Sequence, residues 1–244
     1  MTEEAATTVL VLVHSPLTGP EAWGRLPEVL RARGHEVAVV AVHDDDRPPY
    51  ASRFVARAAL QLRTSAGSRP TVLVGHSGAG QLLPLIGAAR RAAARAPVAG
   101  YVFLDAGLPA ARPASRADLL RSEGMDDADE FVAELAAGGT FPAWTDDDLR
   151  ELVPDDALRA ALVGSLRPRG HDFFAEPLPV APDLPDAPSG LLRLSPAYDA
   201  SARQARQRGW PVLDGPDDRP GRHFAALVDP GSVATDLEDL LARM

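Results

Sequence analysis

The sequence contains no cysteine and no lysine, so its 25 basic residues are all arginine. Without cysteine there is no disulfide, no thiolate nucleophile and no thiolate metal site. Without lysine there is no amine for Schiff-base chemistry and no Walker-type lysine to hold a nucleotide phosphate. These two absences exclude several classes of enzyme before any motif is considered.

Long apolar runs and an excess of positive charge are also missing. No apolar run reaches the ~18–20 residues that a membrane-spanning helix needs, and the N-terminus, Met-Thr-Glu-Glu, lacks the basic start of a signal peptide. The formal net charge of −9 disfavours nucleic acid and anionic membranes as partners. We therefore expect a soluble, cytoplasmic protein that acts on a small molecule as a monomer or homodimer.

The order of apolar runs predicts an α/β fold within one chain of 244 residues. Runs of strand type alternate with segments of helical periodicity, which indicates a mostly parallel sheet with helices on both faces. We predict about six strands, at residues 7–13, 35–42, 71–74, 98–104, 190–195 and 211–213.

The alternation stops between residues 110 and 188. This part contains short helical segments without a clear strand, at 114–123, 127–137, 145–152 and 155–166, and a proline-rich tail from 167 that we expect to be loop. An all-helical insertion after a sheet strand is typical of a lid. The sequence therefore predicts a core of residues 1–109 and 189–244 with a helical cap at 110–188.

Residues 71–80, Thr-Val-Leu-Val-Gly-His-Ser-Gly-Ala-Gly, lead from a strand into a helical pattern that begins at Gln81. A nucleophile elbow requires a serine at the apex of such a turn, with small neighbours where strand and helix converge. The usual Gly-x-Ser-x-Gly pattern departs here at Ala79, which is still small. We predict Ser77 as a nucleophile; a glycine-rich turn that binds phosphate is the alternative.

A nucleophilic serine needs a base, normally a histidine oriented by a carboxylate. Among the six histidines, His223 follows the last predicted strand and precedes the last helix, as in the order serine, acid, histidine. His14 ends the first strand, near the edge of the sheet where such sites form. His171, near the end of the predicted cap, is a candidate for contact with substrate.

The sequence resembles the α/β-hydrolase superfamily over essentially its whole length. The resemblance is carried by Val-Leu-Val-His-Ser at 11–15, Val-Gly-His-Ser-Gly-Ala-Gly at 74–80, Val-Phe-Leu-Asp-Ala-Gly-Leu-Pro at 102–109 and Arg-His-Phe at 222–224. It is similar to the compact capped type that includes plant methyl-ester esterases and hydroxynitrile lyases. The resemblance implies Ser77 as nucleophile, His223 as general base and then acid, and the Gly78 N–H as an oxyanion donor. We expect no cofactor, and no spacing of His, Asp and Glu predicts a metal site.

The resemblance also implies a position for the acid of the triad. In the superfamily it usually follows the strand after the cap, which implies Asp199. Some relatives place it at the end of the preceding strand, which makes Asp105 the alternative.

A second departure from the superfamily concerns the oxyanion hole. The usual His-Gly-x after the first strand provides an N–H two residues after the histidine, but here that position is Pro16, which has no N–H. We expect either the Leu17 N–H or the Ser15 hydroxyl to replace it, or weak stabilisation of the oxyanion.

The leading hypothesis is a serine-dependent hydrolase that cleaves a small or medium apolar ester, thioester or lactone through an acyl-enzyme. The cap would form an apolar pocket with contributions from Phe141, Trp144, Phe173 and Phe174. The alternatives are a lyase or cyclase that uses Ser77 and His223 as acid and base, and a non-catalytic protein that binds a small ligand.

Overall fold

The computed structural model describes residues 7–43, 47–122, 127–180 and 186–244. The strands in these ranges are β1 (Val9–Val13), β2 (Glu36–Val40), β3 (Thr71–Ser77), β4 (Val98–Ala106), β5 (Ala114–Ser115), β6 (Pro177–Leu178), β7 (Ser189–Arg193) and β8 (Val212–Asp214). Six of them form one parallel sheet in the order β2-β1-β3-β4-β7-β8. The sheet confirms the predicted fold class.

Helices cover both faces of this sheet. Their bounds are α1 (Leu26–Ala32), α2 (Tyr50–Ser65), α3 (Leu83–Ala94), α4 (Arg116–Ser122), α5 (Ala128–Ala136), α6 (Asp146–Leu149), α7 (Asp156–Ser165), α8 (His171–Ala175), α9 (Asp199–Gln207), α10 (Ala225–Val228) and α11 (Pro230–Leu241). One apolar layer contains side chains of α2, α3 and α9. The layer on the opposite face contains side chains of α1 and α11.

Strand β1 shows why the continuous apolar run is needed. Val9, Val11 and Val13 pack into the layer with α2 and α3, whereas Leu10 and Leu12 pack into the layer with α1 and α11. Side chains alternate between the two faces of a strand, so a central strand that is covered on both faces needs apolar residues throughout.

The segment between β4 and β7 contains helices α4 to α8, of which α4 to α7 lie close to the limits that periodicity predicts. Two features were not predicted: helix α8, and the antiparallel pair of β5 with β6. Helix α8 and strand β6 are regular structure within the proline-rich tail. Each is too short to produce a periodic pattern, and tertiary contacts hold them, such as the hydrogen bond from Arg116 Nη1 to the Phe173 carbonyl (2.9 Å). The division into core and cap stays a prediction, and its residues 1–6, 44–46, 123–126 and 181–185 lie outside the described ranges.

Within the described ranges, none of the helices combines the length and the apolar character that would let it cross a membrane.

Candidate active site

Ser77 lies at the C-terminal end of β3 with a φ of 57°. Such a left-handed conformation is strained for a residue with a side chain, and it occurs mostly at functional sites. The turn depends on its small neighbours, since a Cβ on Gly80 would lie 2.3 Å from the Gly107 carbonyl oxygen. Because the close approach is at Gly80, Ala79 is tolerated at the preceding position, where it is fully buried.

The Ser77 hydroxyl forms its hydrogen bond with the Tyr198 hydroxyl, at 3.0 Å between the oxygens. His223 lines the same cavity as Ser77, but the hydrogen bonds of the described residues include none between these two side chains. Tyr198 was not predicted as a site residue. Tyr198 directly precedes Asp199, and no motif of the sequence marks it.

His223 is oriented by Asp105. Its Nδ1 lies 2.8 Å from Asp105 Oδ2, and because an ionised carboxylate only accepts hydrogen bonds, Nδ1 carries the hydrogen. Nε2 is then the nitrogen that can take up a proton. His223 lies on a single 3-10 turn (Arg222–Phe224) that follows Gly221, whose φ of 74° favours glycine.

Asp105 is an extra residue in β4. Leu104 pairs with His76 and Ala106 pairs with Ser77 in the neighbouring strand, so Asp105 forms a bulge, with a φ of 43°. Bulges redirect side chains and are frequent beside active sites. This bulge brings the Asp105 carboxylate to the His223 imidazole.

The Asp105 carboxylate is fully buried, and four hydrogen-bond donors surround it. It accepts hydrogen bonds from the Leu194 N–H (2.7 Å), the Ser195 N–H (2.9 Å) and the Ser195 hydroxyl (2.7 Å), besides His223. Burial alone would raise the pKa of this carboxyl group, but the bonds from His223, Ser195 and Leu194 together lower it. Asp105 is therefore held in its ionised form.

The prediction that Asp199 orients His223 is wrong, and the alternative, Asp105, occupies that place. Asp199 is the first residue of α9, and its half-exposed carboxylate pairs with Arg193, which also pairs with Asp217 at 2.8 Å. The physical reason is the turn after β7, which directs Tyr198 to Ser77 and leaves Asp199 at the rim of the cavity.

His76 also contacts His223, through its ring and through a hydrogen bond. The two rings stack at 4.3 Å between centroids and 28° between planes, and His76 Nε2 donates to the His223 carbonyl oxygen at 2.9 Å. Burial, and next the charge of His223, lower the pKa of His76 to about 3. His76 thus stays neutral and adds no second positive charge when His223 is protonated.

The turn after β1 contains the two groups that we expect as replacements for the missing oxyanion donor, the Leu17 N–H and the Ser15 hydroxyl. The Leu17 N–H is bonded to Ser15 Oγ (3.2 Å), so it is used within the turn. The Ser15 hydroxyl has no acceptor among the described residues, and its oxygen would lie 3.5 Å from a Cβ on Gly78. The Gly78 N–H, in the turn after β3, likewise has no acceptor among the described residues. Ser15 and Gly78 thus present two unused donors beside Ser77.

His14 does not line the cavity, contrary to its assignment to the binding site. It is buried, its Nε2 accepts from the Val42 N–H (3.0 Å), and its Nδ1 contacts the Ser15 carbonyl at 2.7 Å. Since Nε2 accepts, Nδ1 carries the hydrogen and donates it to Ser15. Burial lowers the pKa of His14, so a neutral histidine fixes the turn that carries Ser15.

Ser77, Gly78, Ser15, Leu17 and His223 line a cavity of about 710 Å³. The opposite wall comes from the segment between β4 and β7 and is largely apolar, with Leu120, Phe131, Phe141, Trp144, Leu149 and Phe174.

Two of the predicted pocket residues, Phe173 and His171, lie outside the cavity lining. Phe173 is buried against the Arg116 guanidinium, whose carbon lies 3.8 Å from the ring centroid. Its neighbour Phe174 points into the cavity instead, because adjacent residues of a helix face different directions. His171 is exposed at the start of α8, beside Asp172 (3.9 Å). Over the described ranges, no group of three or more His, Asp or Glu side chains could hold a metal ion.

A sequence model described as the Alpha/beta hydrolase family matches residues 10–240. No curated protein sequence matches the chain.

Several solved structures are similar to the whole chain. One is an extracellular α/β-hydrolase from a Paenibacillus species, described as sharing structural and functional homology with tobacco salicylic acid binding protein 2. It is 17% identical over 97% of this chain and 98% of its own, with a TM-score of 0.69. Tomato methylketone synthase I, complexed with 2-tridecanone, is 15% identical over 97% and 98% of the two chains, with a TM-score of 0.67. A pyrethroid hydrolase from Sphingobium faniae is 15% identical over 97% and 98%, with a TM-score of 0.64. At these identities the likeness shows a shared fold.

Proposed function

The chain belongs to the alpha/beta hydrolase family, and within it we propose a serine-dependent hydrolase that cleaves a small or medium apolar carboxylic ester, thioester or lactone. One observation carries the proposal: the His223 imidazole, bonded through Nδ1 to the buried Asp105 carboxylate, lines the same cavity as the strained Ser77. A strained serine, a histidine with a free Nε2 and a buried carboxylate are the three groups that acyl transfer through a serine requires.

In the acylation step, Ser77 Oγ attacks the carbonyl carbon of the substrate while His223 Nε2 takes the serine proton. The hydrogen of the Ser77 hydroxyl turns to His223 Nε2 in this step. Asp105 keeps the Nδ1–H in place and stabilises the imidazolium that forms. His223 then gives the proton to the leaving alcohol, thiol or ring oxygen, and water releases the acyl group by the reverse sequence.

The oxyanion that forms on the carbonyl oxygen would be bound by the Gly78 N–H and the Ser15 hydroxyl. Each such donor contributes on the order of 10²–10³ in rate in serine hydrolases. The Ser15 hydroxyl thereby takes the place of the N–H that Pro16 lacks. Its oxygen is held in position because it accepts from the Leu17 N–H, while its hydrogen stays available to the substrate.

The substrate class follows from the wall of the cavity. Its volume of about 710 Å³ lies within the ~300–1,000 Å³ typical of small-molecule sites. Aromatic and aliphatic side chains such as Phe131, Trp144 and Leu149 line it, and burying their surfaces against apolar groups of a substrate is favourable. This wall supports an apolar acyl or alcohol group.

The test is covalent labelling with a fluorophosphonate probe together with hydrolysis of p-nitrophenyl butyrate. We expect the probe on Ser77, no labelling of Ser77→Ala, and a loss of about 10⁴-fold or more in kcat for that variant. Ser201→Ala is the matched control, because Ser201 is a buried serine of α9 outside the cavity lining. A folded wild-type protein that neither reacts with the probe nor hydrolyses esters or thioesters would contradict the proposal.

A second candidate is a lyase or cyclase in which Ser77 and His223 transfer protons without an acyl-enzyme. It is favoured by one observation, the hydrogen bond of Ser77 with Tyr198 rather than with His223. The hydroxyl residue Ser15 lines the same cavity. Turnover of a substrate that survives in Ser77→Ala would support the second candidate over the first.

A further inference from the structure

We propose that Tyr198 is a further catalytic residue, which stabilises the negative charge that develops on Ser77 Oγ when the acyl group is released. The inference rests on the proposed function, since it concerns the same acyl-enzyme. Its basis is the contact between the Tyr198 hydroxyl and the reacting oxygen, at 3.0 Å.

The position of Tyr198 is fixed by the same carboxylate that orients the base. Tyr198 ends a 3-10 turn that begins at Pro196, and the preceding Ser195 donates both its N–H and its hydroxyl to Asp105 (2.9 and 2.7 Å). The bond from His223 reaches the same Asp105 carboxylate. The buried Asp105 carboxylate therefore helps to position both the Tyr198 hydroxyl and the His223 imidazole relative to Ser77.

The ring of Tyr198 also packs on the base. The two ring planes of Tyr198 and His223 differ by 16°, with centroids 5.4 Å apart. His76 stacks on His223 as well (4.3 Å). The imidazole is therefore held by two rings, and Tyr198 contacts both the nucleophile and the base.

Acidity favours one direction for this hydrogen bond. A phenol, with a pKa of about 10 in its free form, is a stronger acid than an alcohol, which favours Tyr198 as the donor and Ser77 Oγ as the acceptor. This leaves the hydrogen of the Ser77 hydroxyl free to turn to His223. It also means that a donor is aimed at the oxygen on which charge appears.

The effect of this donor differs between the two halves of the reaction. In the acyl-enzyme, Oγ is an ester oxygen, which accepts hydrogen bonds poorly, whereas it approaches an alkoxide as the bond to the acyl carbon breaks. A hydrogen bond to a charged oxygen is roughly twice as strong as one to a neutral oxygen. Because the gain is largest from ester to alkoxide, the donor acts mainly on release of the acyl group.

The proton balance of that step involves Tyr198 only as a hydrogen-bond donor. Water attacks the acyl carbon and gives one proton to His223 Nε2. The bond between the acyl carbon and Oγ then breaks, and the proton passes from Nε2 to Oγ, so that Ser77 is regenerated and the carboxylic acid leaves. Tyr198 keeps its own proton throughout.

The test is the variant Tyr198→Phe, which keeps the ring on His223 and removes only the hydroxyl. With p-nitrophenyl butyrate we expect kcat to fall about ten- to hundredfold, with a burst of nitrophenol. We also expect the butyryl form of Ser77 to accumulate in the mass spectrum of the intact protein. The rate of labelling by a fluorophosphonate, which needs no release step, should change by less than about threefold.

Tyr101→Phe is the matched control. Tyr101 is buried in β4, and its hydroxyl lies near Arg91 (3.4 Å) outside the cavity lining, so its loss should leave kcat unchanged. The inference is overturned if Tyr198→Phe turns over like the wild type, or if its labelling and turnover fall together without any accumulated acyl-enzyme. In either case, a wild-type protein that is labelled at Ser77 and hydrolyses the ester leaves the proposed function intact.

Discussion

The two sides of Ser77 are built in different ways. On the side of His223, Asp105 accepts four hydrogen bonds, and the imidazole stacks with the rings of His76 and Tyr198. On the side proposed to bind the oxyanion, the Gly78 N–H and the Ser15 hydroxyl are donors that no acceptor among the described residues uses.

The difference is that several buried groups fix the orientation of the His223 imidazole, whereas the position of the second oxyanion donor depends on one side chain. The imidazole is held by buried groups, so a wrong rotamer of His223 would lose its bond to Asp105 and its contacts with the rings of His76 and Tyr198 at once. The Ser15 hydroxyl can rotate, and only the bond from the Leu17 N–H (3.2 Å) fixes its oxygen. We therefore expect larger losses from changes on the side of the base.

The largest effect is expected for Asp105→Asn. The change removes the charge that stabilises the imidazolium and favours the wrong tautomer of His223, which in serine hydrolases costs about 10⁴-fold in kcat. Asp199→Asn should reduce kcat by less than about tenfold, because Asp199 pairs with Arg193 instead. The measurement is kcat for p-nitrophenyl butyrate. Equal losses in the two variants would be incompatible with the contrast between the two aspartates.

A smaller loss is expected for Ser15→Ala on the oxyanion side. Removing the hydroxyl leaves Gly78 as the sole donor of the pair and should lower kcat about 10²-fold, with little change in KM. Ser201→Ala serves again as the control for loss of a serine hydroxyl. If Ser15→Ala retains the wild-type kcat, another group binds the oxyanion.

The smallest effect concerns stability and its dependence on pH, and it tests the support of the base by His76. The unfolded chain takes up a proton at His76 near pH 6.5, whereas the folded chain does so only near pH 3. Stability therefore falls as the pH is lowered from 6.5 towards 3, by about 1.4 kcal/mol per pH unit. In His76→Gln, an amide can still donate to the His223 carbonyl but does not titrate.

The measurement is the free energy of unfolding in urea at pH 7.5 and at pH 5. Between these two values the wild type should lose about 2 kcal/mol more than His76→Gln. The lowered pKa of His14 acts in the same direction but is common to both proteins and cancels in the difference. Parallel losses in the two proteins would show that His76 is not held neutral.

Much of the fold could be predicted from the chain because its signals are local. The alternation of apolar runs with helical periods places each strand of the main sheet, and the small residues around Ser77 report a close approach of strand and helix. The position of His223 between the last strand and the last helix could be predicted from the same alternation. The segments α8 and β6 escaped prediction because they are only 5 and 2 residues long.

The partners of the site residues could not be predicted in the same way. Asp105 lies near the end of β4 and Asp199 follows β7, and a bulge in β4 and a short turn after β7 decide which one reaches His223. The roles of Tyr198 and His76 depend on rings that meet from distant parts of the chain. Neither contact leaves a spacing that could be read from the sequence.

The amino-acid sequence by itself determined the family fold, the serine at its elbow and the histidine that follows the last strand. These depend on backbone conformation and apolar periodicity, which neighbouring residues specify. The tertiary structure alone decided that Asp105 is bonded to His223, that among the described residues the Leu17 N–H rather than the Ser15 hydroxyl is used as a donor in the turn, and that Tyr198 is bonded to Ser77. Hydrogen bonds between side chains depend on distances of a few tenths of an ångström, and only the packed chain fixes those distances.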